Sequence, residues 1–343
     1  MKSHKHRERV PYAGEFALID RIARRQQTAQ NAPDVLLGIG DDAAAVRISP
    51  GKKALLTTDI LIEKTHFDLS FSTFFDVGYK ALSVNLSDIA AMGGRPRFFL
   101  VSLGLTGRES LRDIDQLYRG IKKASQEAGT VLIGGNTACS RALFFVSITL
   151  LGEAPKKEIV TRGGGKPGDY LYVTGTLGDS ASGLDLLKKG IASSQKLVLK
   201  HKRPKARFLE GYLLGQNKIP SAMIDLSDGL SSDLSHLAKA SGVGVELEED
   251  KIPISASLKL YGQLAGVNTM AYALNGGEDY ELLFSVPKNR IKKLNALIQK
   301  GTLFATPIGR LTEKIKGLLV KKEDGTTYKL QRLGYDHCKA ITN

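Results

Sequence analysis

The sequence predicts a mixed α/β protein with two lobes, at residues 1–152 and 153–343. The chain has 343 residues, which exceeds what one hydrophobic core usually serves. Short apolar runs typical of strands alternate with helical patterns in both halves, and the pattern restarts after Pro155. These observations favour an α/β or α+β arrangement in each lobe.

In the first lobe, three helices are predicted over residues 15–28, 76–92 and 110–128. Asp76 is a suitable cap for the second helix, which Gly93 and Gly94 would end. Gly129 would end the third helix. The strands of this lobe are predicted at residues 35–39, 44–48, 54–58, 98–105, 131–133 and 143–151.

The second lobe repeats the mixture of strands and helices. Its strands are predicted at residues 170–174, 222–225, 243–247 and 281–286. Its helices are predicted at residues 179–189, 207–214, 231–240 and 288–299.

The formal net charge of +14 raises the question of a nucleic-acid partner. Basic residues cluster at the N-terminus and at residues 200–205, 288–293 and 314–322, but these clusters are scattered. Aromatic residues do not alternate with them, as stacking platforms for bases would require. We therefore interpret the clusters as solvated surfaces that also attract anionic substrates.

No apolar stretch approaches the roughly 20 residues needed to cross a bilayer, so we expect no membrane span. The charged N-terminus lacks the apolar segment of a secretory signal. Cys139 and Cys338 are isolated and lack metal-ligand spacing, which fits a reducing cytoplasm.

Aspartates gather in four short motifs of this basic chain. The motifs are Gly40-Asp41-Asp42, Thr57-Thr58-Asp59, Asn85-Leu86-Ser87-Asp88 and Asp225-Leu226-Ser227-Asp228-Gly229. One such aspartate alone is more often a cap or turn residue. Asp88, however, lies on a helical apolar pattern and Asp225 follows an apolar strand, where an unpaired carboxylate is costly. Together they predict a Mg²⁺ site and hence a phosphate-bearing substrate.

The common nucleotide motifs are missing. Residues 38–43 match G-x-G-x-x-A, but a strand follows where a dinucleotide site needs a helix, and two carboxylates would repel phosphate. Pro167 follows Gly163-Gly164-Gly165-Lys166, which excludes a P-loop helix there. Protein-kinase signatures are also missing.

Two glycine pairs precede polar residues, at Gly134-Gly135-Asn136 and Gly276-Gly277-Glu278. Such pairs allow backbone N–H groups to approach phosphate oxygens closely. Tight turns are an equally good interpretation of either pair alone.

The ordered motifs resemble the thiamine-monophosphate kinase family, which is related to aminoimidazole-ribonucleotide synthetase and selenophosphate synthetase. The resemblance extends from residue 14 to residue 337. Besides the aspartate motifs, it rests on Gly14-Glu15-Phe16, Thr161-Arg162, Val173-Thr174-Gly175-Thr176, Gly276-Gly277-Glu278-Asp279-Tyr280-Glu281 and Gly334-Tyr335-Asp336-His337.

The resemblance implies a homodimer in which two N-terminal lobes share a β-barrel, with ATP and thiamine monophosphate bound beside the interface. The products would be ADP and thiamine diphosphate. Several Mg²⁺ ions, with a monovalent cation as a further candidate, would assist the transfer. The first lobe would bind ATP and Mg²⁺ and form the dimer.

The resemblance also implies roles for residues at matching positions. Those implied to hold Mg²⁺ are Asp41, Thr57, Thr58, Asp59, Asp88, Asn136, Asp225 and Asp228. Those implied to contact ATP are Gly135, Asn136, Arg162 and Ser227, with Tyr118 a weaker candidate. His66 and Glu278 would face the thiamine substrate.

Two positions depart from the family pattern. Asn136 stands where the family has an aspartate, and Arg332 stands where it often has an aromatic residue. The first departure leaves open a catalytically weakened member of the superfamily. Selenophosphate synthetase itself would need a reactive cysteine near the N-terminus, which this sequence lacks. A nucleic-acid-binding protein is the alternative from another class.

Overall fold

The computed structural model describes residues 15–25, 32–39, 43–191 and 194–331. Of these described residues, unit 1 contains those up to Leu86 together with Arg95–Pro155, and unit 2 contains Ser87–Gly94 and those from Lys156 onward. The chain thus leaves unit 1 three residues after the boundary predicted at residue 152. The segment Ser87–Gly94 belongs with unit 2, although the sequence patterns do not separate it from the first lobe.

Unit 1 combines helices with an open mixed sheet. Its helices are α1 (Glu15–Arg25), α2 (Phe74–Ala91, which ends in unit 2) and α3 (Leu111–Ala128). Its strands are β1 (Val35–Leu37), β2 (Ala45–Val46), β3 (Lys52–Ile62), β4 (Arg95–Leu105), β5 (Val131–Cys139) and β6 (Phe145–Pro155).

The four long strands of unit 1 form a sheet in the order β3-β6-β4-β5. β4 and β5 run parallel, whereas β6 is antiparallel to both β3 and β4. β3 and β5 are therefore edge strands, and the sheet formed by the described residues is open rather than a closed barrel. β1 and β2 pair separately as an antiparallel ribbon.

Helices α2 and α3 cross closely because glycines face backbone at their contact. A Cβ on Gly78 would overlap the Leu117 carbonyl, and one on Gly120 would overlap the Phe75 carbonyl. Helix α3 begins with a capping box formed by Ser110 and Asp113.

Two predictions for unit 1 need correction. Asp76 is not the cap of α2, because the helix begins at Phe74. Thr73 precedes it and exchanges hydrogen bonds with Asp76, whose Oδ2 accepts from the Thr73 N–H at 2.9 Å. The turn interpretation of Gly134-Gly135 is also wrong, because both glycines lie inside β5, which continues well beyond residue 133.

Unit 2 is built on a seven-stranded mixed sheet. Its strands are β7 (Tyr170–Thr174), β8 (Ala222–Asp225), β9 (Gly244–Glu248), β10 (Leu282–Val286), β11 (Ala305–Thr312), β12 (Leu318–Lys321) and β13 (Thr327–Lys329). Their order is β13-β12-β9-β11-β7-β10-β8, with β12 and β9 parallel and the other pairs antiparallel. The mixed α/β class predicted from the sequence is confirmed.

The helices of unit 2 surround this sheet. They are α4 (Asp179–Lys188), α5 (Gln195–Lys202), α6 (Phe208–Gln216), α7 (Leu230–Ser241), α8 (Ala256–Ala265), α9 (Thr269–Asn275) and α10 (Ile291–Gln299). A buried aliphatic core that includes Leu171, Ile224 and Leu283 joins the sheet to α7 and α9. Within the described residues, no helix is both long and apolar enough to span a membrane.

Candidate phosphoryl-transfer site

Asp225 stands at the end of β8, where a buried strand delivers its carboxylate to the loop that precedes α7. The residue is 4% exposed, and its Oδ2 accepts a hydrogen bond of 2.7 Å from the Ser87 hydroxyl. Burial, followed by the charge of Asp88, raises the pKa of Asp225 to about 7, although Ser87 and Arg162 act in the opposite direction. Asp88 and Asp225, both predicted site residues, are thus electrostatic neighbours.

Further carboxylates crowd the same loop. Asp233, in the first turns of α7, accepts hydrogen bonds from the N–H groups of Asp228 and Gly229 at 3.0 and 3.1 Å. Burial and then the charges of Asp225 and Asp228 raise the pKa of Asp233 to about 8. This accumulation of negative charge would be relieved by a bound cation.

The donor chemistry of this group fits Mg²⁺, which prefers carboxylate and hydroxyl oxygens. Among the described residues, no three His, Cys, Asp or Glu side chains form a ready-made metal site. Asp41, the first implied ligand, lies outside the described residues, as do Arg332 and residues 334–337.

Arg162 follows Thr161, whose backbone is bonded to β8. The Met223 N–H donates to the Thr161 carbonyl at 3.0 Å, and the Ser241 hydroxyl donates to the Arg162 carbonyl at 3.1 Å. These bonds hold the exposed Arg162 where its charge lowers the pKa of Asp225. A guanidinium next to carboxylates is suited to holding phosphate oxygens between them.

Ser227 and Glu278 meet through their backbones. The Glu278 N–H donates to the Ser227 carbonyl at 2.7 Å, and the Tyr280 N–H donates to the Leu226 carbonyl at 2.9 Å. Glu278 and Tyr280 have φ angles of 68° and 51°, a left-handed conformation that is costly outside glycine. Such strain persists where surrounding contacts enforce it, often at functional sites.

The implied ligands of unit 1 lie on two different strands. Thr57, Thr58 and Asp59 lie on β3, so Thr58 faces away from its two neighbours. Gly135 and Asn136 lie on β5, at the opposite edge of the sheet. Three strand spacings, about 14 Å in all, separate these edges, so unit 1 does not bring Asp59 and Asn136 together.

Gly135 has a structural reason to be glycine, because a Cβ there would overlap the Val101 carbonyl oxygen of β4. His66 lies in the turn after β3, where its Nδ1 accepts from the Ile62 N–H at 3.0 Å. Tyr118 is only 6% exposed on α3, and burial raises the pKa of its phenol.

Sequence reasoning did not select several residues that shape this site. Ser87 lies in a recognised motif, and Asp233 lies in the first turns of a predicted helix, so both carried a usable signal. His201 lies in the basic cluster at residues 200–205, which is interpreted as solvated surface, and Arg207 begins a predicted helix. The structure places them against Glu278 and Glu281 instead.

Comparison with known proteins shows the family to which this chain belongs. The family of AIR synthase related proteins matches twice, through its N-terminal domain at residues 40–154 and its C-terminal domain at residues 166–321. Thiamine-monophosphate kinase of Bacillus subtilis (strain 168) is 37% identical over 332 residues, covering 95% of this chain and 99% of that protein. The chain therefore belongs to the thiamine-monophosphate kinase family.

Solved structures agree with that assignment. The crystal structure of thiamine-monophosphate kinase from Stenotrophomonas maltophilia K279a is similar with a TM-score of 0.80 and 34% identity, covering 93% of this chain and 98% of that one. A structure of AaThiL complexed with AMPPCP and TMP has a TM-score of 0.75 and 38% identity, covering 98% of this chain and 100% of that one.

Proposed function

We propose that this chain transfers the γ-phosphoryl group of ATP to thiamine monophosphate, giving thiamine diphosphate and ADP. The observation that carries the proposal is the 38% identity, over 98% of this chain, to AaThiL complexed with AMPPCP and TMP. The carboxylates around Asp225 support it, because together they are suited to hold Mg²⁺. Phosphoryl transfer between two anions needs the positive charge that such ions supply.

The nucleophile would be a phosphate oxygen of the acceptor, largely deprotonated at pH 7 because its second pKa is ~6. No residue is needed as a general base, and direct in-line transfer requires no phosphoenzyme. Bound Mg²⁺ would supply the charge neutralisation. The residues proposed to hold several such ions are Asp41, Thr57, Thr58, Asp59, Asp88, Asn136, Asp225 and Asp228. Asp59 and Asn136, at opposite edges of the unit 1 sheet, would serve different ions.

The remaining roles follow the family pattern. Arg162 and Ser227 would orient ATP together with Gly135 and Asn136, whereas the buried Tyr118 offers little surface for contact. His66 and Glu278 would face thiamine monophosphate. Unit 1 would bind ATP and Mg²⁺ and form the dimer.

A homodimer is supported by one face of the unit 1 sheet. Leu56 is 70% exposed, Ile60 on the same strand is 44% exposed, and Leu100 on β4 is 37% exposed. Thr58 and Leu100 both pair with Thr149, so these side chains share one face. An exposed apolar patch of this kind favours pairing with a second copy, which would complete a shared barrel.

The exposed thiol of Cys139 favours a reducing compartment such as the cytoplasm.

The direct test is incubation with ATP, Mg²⁺ and thiamine monophosphate, followed by chromatography for thiamine diphosphate. Thiamine is the control acceptor and should give no product, because it lacks the nucleophilic phosphate. ATP binding without product would favour a catalytically weakened family member. Steep salt-dependent binding of nucleic acid without turnover would favour a nucleic-acid-binding protein.

Asn136 allows a sharper test of the metal site. Replacing it by the family's aspartate adds a charged oxygen ligand, so Asn136→Asp should lower the Mg²⁺ concentration needed for half-maximal activity. The measurement is a Mg²⁺ titration at saturating ATP and thiamine monophosphate. An unchanged titration would contradict the proposed contact of Asn136 with Mg²⁺.

A further inference from the structure

Three of the four residues in the segment 278–281 carry carboxylates, namely Glu278, Asp279 and Glu281, and we name this segment the acidic loop. Asp279 is 5% exposed and accepts from the N–H groups of Gly178 and Ser180. Glu281 is fully buried and pairs with Arg207. The Glu278 side chain keeps 26% of its surface exposed, so among these three it is the carboxylate able to meet a ligand.

His201 is the buried partner of that exposed carboxylate. It lies on α5 and is 4% exposed, and its Nδ1 is 3.2 Å from Glu278 Oε2 and 3.3 Å from Ser180 Oγ. An ionised carboxylate only accepts hydrogen bonds, so the contact requires the proton of the ring on Nδ1. Ser180, which is completely buried at the start of α4, holds the same edge of the ring.

Helix α5 is itself anchored to the acidic loop. Lys200, the residue before His201, donates to Glu281 Oε1 at 3.2 Å. Leu197, one turn earlier, is 1% exposed in a small apolar cluster with Leu186 and Leu258. Consecutive residues of one helix thus reach two carboxylates of the loop, and the burial of the ring and its contact with Ser180 restrict its rotation.

The backbone of Glu278 is fixed as well, by its left-handed φ of 68° and by the 2.7 Å bond from its N–H to Ser227. A side chain on a strained backbone still has rotatable bonds of its own, so its carboxylate needs a separate restraint. His201 is positioned to provide that restraint.

We propose that His201 is a positioning residue, which donates a hydrogen bond from Nδ1 to the Glu278 carboxylate and fixes its orientation toward the substrate. The inference rests on the proposed function, in which Glu278 faces thiamine monophosphate. Because ATP is assigned to other residues, the loss of this hydrogen bond should weaken the binding of thiamine monophosphate and leave the binding of ATP unchanged.

Two amide substitutions of His201 test whether the hydrogen-bond donor must lie at the place of Nδ1. An asparagine amide occupies about the place of Nδ1, whereas a glutamine amide reaches the place of Nε2. His201→Gln should therefore raise the KM for thiamine monophosphate by about 10-fold, with the KM for ATP and kcat within about twofold. His201→Asn should recover most of the loss, to within about threefold of the parent chain.

Equal effects of the two substitutions would overturn the proposal. So would a parallel change in the KM values for both substrates together with a lowered melting temperature, since that pattern indicates a purely structural role. A double-mutant cycle with Glu278→Gln adds a further check, because residues that act through one contact give non-additive effects on KM. An additive cycle contradicts the inference.

A second measurement needs neither turnover nor a substituted histidine. NMR of the unsubstituted chain with ¹⁵N-labelled histidine should show His201 protonated on Nδ1, and Glu278→Gln should shift that signal. A ring protonated on Nε2 alone, with Nδ1 accepting from the Ser180 hydroxyl, would overturn the proposal. Absence of product from the unsubstituted chain would count against the proposed function, whereas this spectrum still decides the role of His201.

Discussion

Glu281 holds the most completely buried charge among the residues around the acidic loop. Its oxygens accept from Arg207 Nε and Nη2 at 2.5 and 2.7 Å, from the Thr174 hydroxyl at 2.7 Å and from Lys200 at 3.2 Å. Burial alone would raise the pKa of Glu281, but these partners outweigh it and lower the pKa. The stabilisation is therefore present at neutral pH and lost as the pH falls through the lowered pKa.

Glu281→Gln should lower the free energy of unfolding by about 2–4 kcal/mol, because it removes the fully buried carboxylate that pairs with the partly buried Arg207, which then keeps its contact with Glu210. Glu246→Gln is the matched control, since Glu246 pairs with Arg310 at 2.8 Å on the surface. Its cost should stay below about 1 kcal/mol. Urea unfolding at pH 7 measures both values, and equal losses would show that the buried network does not stabilise unit 2.

Asp279 should show the opposite pH dependence. Burial raises its pKa to about 7, although the N–H groups of Gly178 and Ser180 act against the rise. The folded chain then binds more protons than the unfolded chain between pH 4 and pH 7, so the contribution of Asp279 falls as the pH rises through this window. Above it the contribution is lost.

Asp279→Asn removes this titration. The unfolding free energy of the parent chain, relative to the variant, should therefore decrease by about 1 kcal/mol or more between pH 4.5 and pH 7.5. Urea unfolding across that range measures the difference. An increase instead would mean that the two backbone hydrogen bonds outweigh burial and that the carboxylate is ionised throughout.

At the scale of elements, β5 shows how a strand continues through glycines. Val101 of β4 pairs with Gly135, and a Cβ at Gly135 would overlap the Val101 carbonyl. A Cβ at Gly134 would meet only the end of the Leu100 side chain, at 2.9 Å, which can move aside. The two adjacent glycines therefore tolerate substitution differently.

Gly135→Ala should lower the free energy of unfolding by about 1–3 kcal/mol through overpacking, whereas Gly134→Ala should cost less than about 1 kcal/mol. Thermal and urea unfolding in the absence of ATP measure both, so any contact of Gly135 with the nucleotide does not enter. Equal costs would show that the close approach of β4 does not require glycine at position 135.

Helices and strands were predictable where their own residues mark their ends. Ser110 and Gly129 bound α3 as expected, since a capping box and a left-handed glycine at φ 64° are local devices. The extension of β5 and the strands β11 to β13 were not predicted. β11 and β12 both pair with β9, which lies far earlier in the chain, and β13 is a three-residue edge strand beside β12. A strand whose partners are remote leaves a weak local pattern.

At the scale of the whole molecule, the proposed homodimer depends on the exposed face of the unit 1 sheet. Leu56→Asp should dissociate the dimer, because pairing through this face would take an unpaired carboxylate out of water. Leu264→Asp is the matched control: Leu264 is 74% exposed on α8 in unit 2. Sedimentation velocity over a concentration series measures both. A dimer that survives Leu56→Asp, or is lost with Leu264→Asp, would place the interface elsewhere.

The sequence by itself determined the α/β class, the family and the kind of chemistry, because these depend on residue types and their order. Aspartates on a basic chain pointed to a cation and a phosphate, and the ordered motifs identified the thiamine-monophosphate kinase family, which the 37% identity to the Bacillus subtilis protein confirmed. Residue order alone could not distinguish a turn from a strand at Gly135.

Only the tertiary structure decided which carboxylates are buried and what holds them. Ser87 and Asp225 are 138 residues apart, and burial and then Asp88 raise the pKa of Asp225 against the opposing hydrogen bond from Ser87. The bond between His201 and Glu278 likewise joins a helix to a distant loop. Desolvation and Coulombic interaction depend on distances in space, so such properties appear only once the chain is folded.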